Sequence, residues 1–481
     1  MTGMVPKMAI GAAELARRTG GSWAGATPEL AVTGIEIDSR RCNAGSLFAA
    51  LPGQHADGHG FVAAAAENGA VAALVSQPVA DAPCRLLTVG DVEAALTSLG
   101  AAGRDAHRDA GGRLVAITGS VGKTGSKEML AHMLRRLGGC HANRASFNNH
   151  LGVPLTLAAL PAAPLPAVQE IGMNAPGEIS LLTGLAKPDI AVITRIADSH
   201  AGFFDSLDDI AAAKAEIFDG LAPDGTAVLN ADDPYFDMLA ARARAAGAGH
   251  IIGFGTSDAA EARLIAAHGD ETGMTMNAEI GGTELEFRIG MRGAHWAHNA
   301  LAMLAAVHAL GLDIRDASDS LIDFNDLPGR GQVTGGIFEG RQMTLIDDSY
   351  NAGPASMAAA FATLATRPPQ IMVLSDMLEL GRGSADAHAA LAPAVAQLRP
   401  RLVITIGPEM AEMAAGLAAE TGHVAADTPA AATDALRAAL EDGDRVFIKG
   451  SNGSGAWRVA AALLDGLSSL PVTDGGASHA A

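Results

Sequence analysis

Two glycines and a Lys-Thr pair form the part of this sequence with the clearest chemistry. Residues 115–124 read Val-Ala-Ile-Thr-Gly-Ser-Val-Gly-Lys-Thr, and the apolar start predicts a buried strand. Glycines let backbone N–H groups close around phosphate oxygens, and the amino terminus of a following helix adds positive partial charge. We predict that this loop binds the phosphates of ATP, with Lys123 on the terminal phosphates and Thr124 on Mg²⁺. The predicted loop comprises Gly119, Ser120, Val121, Gly122, Lys123 and Thr124.

The spacing of this loop is shorter than that of the strict phosphate-binding motif. The pattern G-x-x-x-x-G-K-[ST] requires glycine where Ile117 stands, and this sequence has G-x-x-G-K-T instead. The alternative is an ordinary strand-turn-helix junction in which Lys-Thr occurs by chance. A predicted amphipathic helix over residues 127–137 follows the loop. Strand and helix therefore both lie where phosphate binding requires them, and we favour the functional interpretation.

Three further polar residues are candidates for the chemistry of the same region. Glu170 ends an apolar segment, His200 follows a predicted strand, and Lys214 lies on a predicted helix. Thr124 and Glu170 would supply hard oxygen ligands for Mg²⁺, and His200 would be a ligand of a second metal ion. On sequence alone, a histidine in such a loop is more often hydrogen-bonded than metal-bound, and a helix lysine is more often a solvated charge.

Composition excludes several classes of protein. The chain has 481 residues, 49% hydrophobic and 18% charged, which suits about three folded domains and not a disordered chain. The net charge of −20 argues against general nucleic-acid binding. We find neither an apolar run long enough to span a membrane nor a signal peptide, so we expect a cytoplasmic protein. The three cysteines are scattered, which fits reduced thiols.

The order of apolar runs and helical segments predicts an α/β fold of three domains. The predicted domains are a small α/β domain over 1–110, a central P-loop-type domain with a parallel sheet over 111–328, a Rossmann-like carboxy-terminal domain over 329–470, and a flexible tail over 471–481. Residues 104–112 are polar and end in two glycines, so we interpret them as a linker or exposed turn. Residues 262–289 alternate and predict an antiparallel ribbon, and residues 327–331 predict a hinge.

Several longer segments resemble the Mur ligase family, the ATP-dependent amide-forming enzymes of peptidoglycan assembly. The short glycine loop at 118–124 resembles that family's own loop. The other segments that resemble the family are Ser-Phe-Asn-Asn-His-Leu-Gly-Val-Pro from 146, Ala-Lys-Ala-Glu-Ile-Phe from 213, Ile-Asp-Asp-Ser-Tyr-Asn-Ala-Gly-Pro from 346, Leu-Ser-Asp-Met-Leu-Glu-Leu-Gly from 374, and the amino-terminal Asp-Ser-Arg from 38 and Asp-Gly-His-Gly-Phe from 57. The resemblance covers roughly residues 30 to 460.

The resemblance implies a reaction and its partners. It implies an ATP-dependent ligase that joins D-alanyl-D-alanine to UDP-N-acetylmuramoyl-tripeptide through an acyl phosphate, releasing ADP and phosphate. It further implies two Mg²⁺ ions and a lysine, Lys214, that carries a CO₂ adduct as a carbamate and lies with His200 at the second ion. We expect a monomer with no nucleic-acid partner and no membrane span.

The resemblance also assigns binding residues in each domain. Expected nucleotide contacts are Asn148, Asn149, His295, Asn299, Arg330 and one of Asp347 and Asp348. Expected contacts to the UDP-linked substrate are Ser39, Arg40, Asp57, Gly58 and His59, and expected contacts in the third domain are Tyr350, Asn351, Asp376, Glu379 and Lys449. Without the family context, Asn148 and Asn149 could equally be turn caps, and Ser39-Arg40 a surface turn.

Some positions depart from the family pattern, and other functions stay open. Relatives usually have glycine at Ser375, asparagine at Arg195 and Gly353, and arginine at Asn452. A sister ligase that adds a diamino acid or glutamate is one alternative, although no Asp-Asn-Pro-Arg-type segment is present. A folylpolyglutamate synthetase would lack the UDP-sugar domain. A nucleotide-dependent switch or assembly protein that performs no ligation would have no use for a second metal position.

Overall fold

The computed structural model describes residues 9–468 except 54–55, 198–200, 205, 271 and 326. Three main sheets, of five, nine and seven strands, follow one another along the described chain. They confirm the predicted α/β class with a large parallel-sheet unit at the centre. The predicted metal ligand His200 and the predicted tail over 471–481 lie outside the described residues.

The first unit is a five-stranded sheet with helices packed against it. Its sheet has the order β2-β7-β6-β5-β4, and β1 pairs separately with β3. The strands are β1 Ile10–Gly11, β2 Ser22–Trp23, β3 Ala31–Val32, β4 Gly34–Glu36, β5 Ser46–Ala49, β6 Ala70–Val75 and β7 Arg85–Thr88. The helices are α1 Ala12–Thr19, α2 Val62–Glu67 and α3 Val92–Asp109. Leu47, Leu74 and Leu96 are among the residues of its core.

The prediction of a linker at residues 104–112 is wrong for most of that stretch, because helix α3 continues to Asp109. Its polar residues are partly buried against the second unit. The Arg104 guanidinium contacts the carbonyl oxygen of Leu185, and His107 Nδ1 donates to the carbonyl oxygen of Pro161 at 2.7 Å. This polar stretch is helical and partly buried because carbonyl oxygens from a distant part of the chain accept hydrogen bonds from its side chains.

The central unit is a mostly parallel nine-stranded sheet of order β16-β15-β14-β13-β12-β11-β8-β10-β9. Its strands are β8 Arg113–Thr118, β9 His141–Ala142, β10 Pro166–Glu170, β11 Ile190–Ile193, β12 Thr226–Asn230, β13 His250–Gly255, β14 Ala262–Asp270, β15 Gly273–Ile280 and β16 Thr283–Ile289. Its helices are α4 Lys123–Arg136, α5 Gly152–Ala158, α6 Glu178–Ala186, α7 Leu207–Ala215, α8 Phe236–Ala245, α9 Ala294–Ala309 and α10 Ile314–Asp319. Strands β14 to β16 pair antiparallel, which confirms the predicted ribbon.

Strand order in this sheet places the predicted catalytic segments side by side. Strand β8 lies between β10 and β11, with Ile117 opposite Glu170 and Thr118 opposite Ile193. The carboxyl ends of the three parallel strands therefore meet at one edge, where ligands of such sheets bind. Helix α4 starts at Lys123, four residues before the predicted helix, because the loop leads directly into its first turn.

The third unit is a doubly wound sheet of order β21-β20-β19-β22-β18-β17-β23. Its strands are β17 Gln332–Phe338, β18 Arg341–Asp348, β19 Ile371–Ser375, β20 Leu402–Ile406, β21 Gly422–Ala426, β22 Asp444–Lys449 and β23 Leu467–Ser468. Its helices are α11 Pro354–Leu364, α12 Ser384–Ala389, α13 Ala392–Leu398, α14 Met410–Ala415, α15 Pro429–Ala439 and α16 Ala456–Gly466. In the part of the chain that the structure describes, every helix is too short or too polar to cross a bilayer.

Candidate active site

The phosphate loop is held in shape by the segment that follows β11. Thr194 Oγ1 donates to the carbonyl oxygen of Val121 at 2.6 Å, and Ser120 N donates to the carbonyl oxygen of Arg195 at 2.8 Å. Gly119 has a φ of +147°, and a Cβ there would lie 2.0 Å from Thr194 Oγ1. The loop therefore needs glycine at this position both for its backbone conformation and for the close approach of Thr194.

Lys123 begins α4, and its side chain folds back over the loop. Its Nζ donates to the carbonyl oxygen of Gly119 at 2.6 Å and to that of Ser120 at 3.3 Å. Burial lowers the pKa of Lys123, the charge of Glu170 opposes this shift, and the charge of Arg330 adds to it. Lys123 thus lies within electrostatic reach of a carboxylate of the central unit and of a guanidinium from the predicted hinge.

Glu170 is the buried last residue of β10. Asn148 Nδ2 donates to its Oε1 at 2.7 Å, and its own backbone N donates to Asn143 Oδ1 at 2.9 Å. Its Oε2 has no hydrogen-bond partner among the residues that the structure describes. Because a buried carboxylate oxygen is costly without a donor or cation, this atom fits a hard cation such as Mg²⁺. Thr124, the other predicted oxygen ligand in the described chain, lies in the first turn of α4.

Lys214 lies on α7 and is 1% exposed. Burial, with a smaller effect from the charge of Lys123, lowers the pKa of Lys214 well below its ordinary value. The interpretation of Lys214 as a solvated charge is therefore wrong. The amine is held toward its neutral form, and the neutral amine is the form that combines with CO₂.

The two residues expected at the nucleotide base, His295 and Asn299, lie on α9, next to the phosphate loop. A Cβ at Gly122 would lie 2.9 Å from Asn299 Oδ1, which places that side chain directly over the loop. Trp296, to which the sequence assigned no role, is buried, and its ring lies close to the Cα of Gly125 in α4. Burial lowers the pKa of His295 to about 4, and the charge of Lys449 in the third unit adds to this shift.

The structure separates the two candidate acidic residues of the third unit. Asp347 Oδ1 accepts hydrogen bonds from the backbone N of Ser349 at 3.1 Å and from its Oγ at 2.5 Å. Asp348 Oδ2 accepts from Lys449 Nζ at 2.7 Å, and the same Nζ donates to the carbonyl oxygen of Asn351 at 3.0 Å. Asp347 therefore stabilises its own turn, whereas Asp348 forms an ion pair at the end of the sheet. Which of the two contacts the nucleotide stays a prediction.

Tyr350 and Glu379 bring the third unit against the central one. The hydroxyl of Tyr350 contacts Ser146 Oγ in the central unit, and Arg330 stacks 4.0 Å above the Tyr350 ring. The carbonyl oxygen of Glu379 accepts from Gly202 N at 2.9 Å. Tyr350 and Glu379 thus lie where the third unit contacts the central one.

Two predicted binding residues also have hydrogen-bond partners within their own units. Asp376 is buried and its Oδ1 accepts from Met410 N at 3.0 Å. Asn149 Oδ1 accepts from Leu151 N at 3.2 Å and from Gly152 N at 2.9 Å, so it caps the turn that leads into α5. These contacts agree with the turn-cap interpretation of Asn149, and its contact with the nucleotide stays a prediction.

The predicted substrate residues of the first unit also have partners within that unit. Arg40 forms a two-point ion pair with Asp38 at 2.9 and 2.7 Å, and its side chain is exposed. His59 Nδ1 donates to Asp57 at 2.6 Å, while its Nε2 accepts from Ser76 N at 3.0 Å. The two contacts of His59 require the neutral ring. Ser39 accepts a hydrogen bond on its carbonyl oxygen, and Gly58 lies against the backbone of residue 51.

Lys127 and Asn143 are residues of this region that the sequence did not single out as a site. Lys127 is fully buried one helical turn after Lys123, and Asn143 holds the backbone of Glu170. The spacing of four residues from Lys123 and the scarcity of lysine in this chain are the signals that could have found Lys127.

Profiles of one protein family match all three units. The profile described as Mur ligase family, catalytic domain, matches residues 31–98. The Mur ligase middle domain matches residues 117–307, and the Mur ligase, glutamate ligase domain, matches residues 329–452.

Individual relatives match most of the chain. The UDP-N-acetylmuramoyl-tripeptide–D-alanyl-D-alanine ligase of Bacillus subtilis is 33% identical over 432 residues, which are 88% of this chain and 91% of the relative. The Escherichia coli ligase of the same name is 32% identical over 451 residues, covering 91% and 95% of the two chains.

Solved structures show the same arrangement. MurF from Acinetobacter baumannii matches with a TM-score of 0.81 at 30% identity, over 96% of this chain and 100% of that chain. MurF from Thermotoga maritima, solved in complex with ADP, shares the fold with a TM-score of 0.73 at 24% identity, over 90% and 97% of the two chains. The chain described here belongs to the Mur ligase family.

Proposed function

We propose that the chain is an ATP-dependent ligase that joins D-alanyl-D-alanine to UDP-N-acetylmuramoyl-tripeptide in peptidoglycan synthesis. The products are UDP-N-acetylmuramoyl-pentapeptide, ADP and phosphate. The names of the relatives support this reaction. The observation on which it chiefly rests is the position of the phosphate loop, with Lys123 folded over it, beside the strand that ends in the buried Glu170.

The reaction has two steps in this proposal. The terminal carboxylate of the tripeptide attacks the γ-phosphorus of ATP, so that an acyl phosphate forms and ADP leaves. The amine of D-alanyl-D-alanine then attacks the acyl carbon, loses its proton, and phosphate leaves. Both steps place charge near the transferred phosphoryl group, and fixed cations and donors stabilise that charge most effectively in a cleft from which water is excluded.

The chain's own residues supply part of this stabilisation. Lys123 and the backbone of residues 119–122 hold the phosphates, Asn299 and His295 lie on the base side, and Arg330 reaches the phosphates from the hinge. Contacts of Tyr350 with Ser146 and of Glu379 with Gly202 bring the third unit over the phosphate loop. An acyl phosphate formed there is shielded from hydrolysis until the amine arrives.

The donor set fits two Mg²⁺ ions. Thr124 and the unpaired Oε2 of Glu170 would hold one ion, and Lys214 as a carbamate, with His200, would hold the other. Bound Mg²⁺ neutralises phosphate charge and polarises the phosphorus toward attack. Burial and the depressed pKa of Lys214 favour the neutral amine that a carbamate requires.

The three units divide the substrates among them in this proposal. Residues 1–110 hold the UDP-linked substrate, with Ser39, Arg40 and the 57–59 segment at or near it. Residues 111–328 hold ATP. Residues 329–470 hold D-alanyl-D-alanine near Asn351 and Lys449. We further propose that the enzyme acts as a cytoplasmic monomer.

The test is the substrate dependence of phosphate release by the purified chain with ATP and Mg²⁺. We expect release only when both the UDP-linked tripeptide and D-alanyl-D-alanine are present, with one pentapeptide formed per phosphate by mass spectrometry. Release with neither substrate would indicate a simple nucleotide hydrolase. Release with a single amino acid in place of the dipeptide would indicate a sister ligase, and either result would refute the proposal.

A further inference from the structure

Residues 143–148 contact all three units of the molecule, although they belong to the central one. We propose that these residues form a coupling loop that orients Glu170 and ties it to the positions of the first and third units. Lys127 and Arg144 are its positioning residues. The inference rests on the proposed function, in which Glu170 is a ligand of Mg²⁺.

Lys127 anchors the coupling loop to the helix that begins at the phosphate loop. Its Nζ donates to the carbonyl oxygens of Asn143 at 3.0 Å and Ala145 at 3.1 Å, and it also contacts the Glu128 carboxylate. Lys127 is fully buried, and a buried ammonium is costly unless every donor is used. Any movement of the coupling loop away from α4 would leave two of the three ammonium donors without their carbonyl acceptors in a buried site, so the loop and the helix move as one body.

Both ends of the coupling loop hold Glu170. At one end Asn143 Oδ1 accepts from the backbone N of Glu170, and at the other end Asn148 Nδ2 donates to its Oε1 at 2.7 Å. A Cβ at Gly172 would lie only 3.0 Å from the Asn148 amide, so the backbone beyond β10 packs closely under this side chain. The hydrogen bond to Oε1 orients the carboxylate, and Oε2 stays available for a cation.

The middle of the coupling loop reaches outward to the other two units. Arg144 Nη2 donates to Glu36 Oε1 of the first unit at 2.8 Å, and Ser146 Oγ contacts the hydroxyl of Tyr350 in the third unit. Ala145 lies between them with a φ of +42°, in the left-handed region. The chain turns sharply at that residue, so consecutive side chains reach two different units.

The Arg144–Glu36 pair is a direct polar contact between the first unit and the loop that holds Glu170, and Phe147 of the same loop packs against the core of the first unit. Glu36 is 7% exposed at the end of β4, where Arg41 also lies 4.0 Å away, so its position is set by the first sheet. Arg144 is itself half-exposed. A displacement of the first unit therefore moves the coupling loop, and Glu170, the candidate metal ligand, moves with it.

The test measures Mg²⁺ binding without turnover, by calorimetry of ADP with and without Mg²⁺. We expect Arg144→Ala to reduce the Mg²⁺-dependent gain in ADP affinity about fivefold or more, the low end of the coupling between linked sites, with ADP affinity in the absence of Mg²⁺ unchanged. Lys127→Met should reduce this Mg²⁺-dependent gain by at least as much, and Arg144→Lys should recover most of it. Hydrogen exchange of the amides at 143–148 should be faster in Arg144→Ala.

Arg242→Ala is the matched control. Arg242 has nearly the same exposure as Arg144, 53% against 56%, and forms an ion pair with Asp219 inside the central unit. We expect it to leave the Mg²⁺-dependent gain unchanged. The double variant Glu36→Gln, Arg144→Ala should lose no more of the Mg²⁺-dependent gain in ADP affinity than Arg144→Ala alone, because the two residues act through one contact.

Three results would overturn the inference. The first is an unchanged Mg²⁺-dependent gain in ADP affinity in Arg144→Ala. The second is a loss of this gain in Arg242→Ala equal to that in Arg144→Ala, and the third is additive losses in the double variant. The Arg144 variants change a half-exposed side chain and decide the question even where Lys127→Met fails to fold. Failure of the proposed function is a different result, since it would be seen in phosphate release by the unaltered protein.

Discussion

A single methyl group at Gly119 is the sharpest test of how the phosphate loop is built. A Cβ at this position would lie 2.0 Å from Thr194 Oγ1 and 3.2 Å from Arg195 N, and the backbone has a φ of +147°. The Gly119→Ala variant therefore combines an unfavourable backbone conformation with a clash. The displaced group would be the hydroxyl that donates to the carbonyl oxygen of Val121 at 2.6 Å.

The expected loss of stability follows from these two terms. A non-glycine residue in such a backbone region costs ~1–3 kcal/mol. Pushing the buried Thr194 hydroxyl away from its acceptor leaves a polar group unpaired, which costs a further ~1–3 kcal/mol. We expect Gly119→Ala to lower the free energy of unfolding of the central unit by ~2–6 kcal/mol and to abolish measurable ATP binding.

Gly138→Ala separates the two terms. Gly138 has a φ of +130° but nothing lies within 4 Å of a Cβ there, so this variant has the backbone cost without the clash. Urea unfolding and calorimetry with ATP would compare the variants, and Thr194→Ala would measure the loss of the hydroxyl alone. Equal destabilisation by Gly119→Ala and Gly138→Ala, with ATP binding kept in both, would refute the reasoning.

Three further perturbations probe other parts of the molecule. Gly58→Ala would place a Cβ 2.6 Å from the backbone of Leu51, whereas Gly60→Ala meets open space, so calorimetry should show about tenfold weaker binding of the UDP-linked tripeptide in the first variant only. Lys214→Ala should lower the rate of phosphate release about 100-fold, with partial return when a short carboxylic acid is added; unchanged activity would contradict the carbamate. Burial lowers the pKa of His141 from 6.5 to about 4, so the unfolded chain binds more protons between these values and stability should fall as the pH drops through this range. His141→Gln should flatten that part of the urea-midpoint profile, and an unchanged slope would contradict the assignment.

Local sequence patterns were sufficient for the strand before the phosphate loop and for the helix after it. Glycine at 119 and 122 followed by Lys-Thr specifies a backbone shape that few other residues permit, and the apolar strand before it has a clear pattern. The antiparallel ribbon at 262–289 was likewise visible, because alternation with a period of two depends only on neighbouring residues.

The same local patterns failed at residues 104–112. Arg104 and His107 made this stretch look like a solvated linker, yet they are buried on α3. Their acceptors are the carbonyl oxygens of Leu185 and Pro161. Hydrophobicity patterns register the cost of burying a polar group, and they contain no information on a partner more than fifty residues away.

The sequence by itself therefore determined which chemical groups the chain possesses and which short segments present them. Only the tertiary structure decided how those groups are used: that Lys214 is buried, that Asn149 caps the turn before α5, and that one oxygen of Glu170 is unpaired in the described chain. The contact between Arg144 and Glu36 joins residues 108 positions apart. Conformational propensity acts over a few residues, whereas burial and pairing depend on residues that only the folded chain brings together.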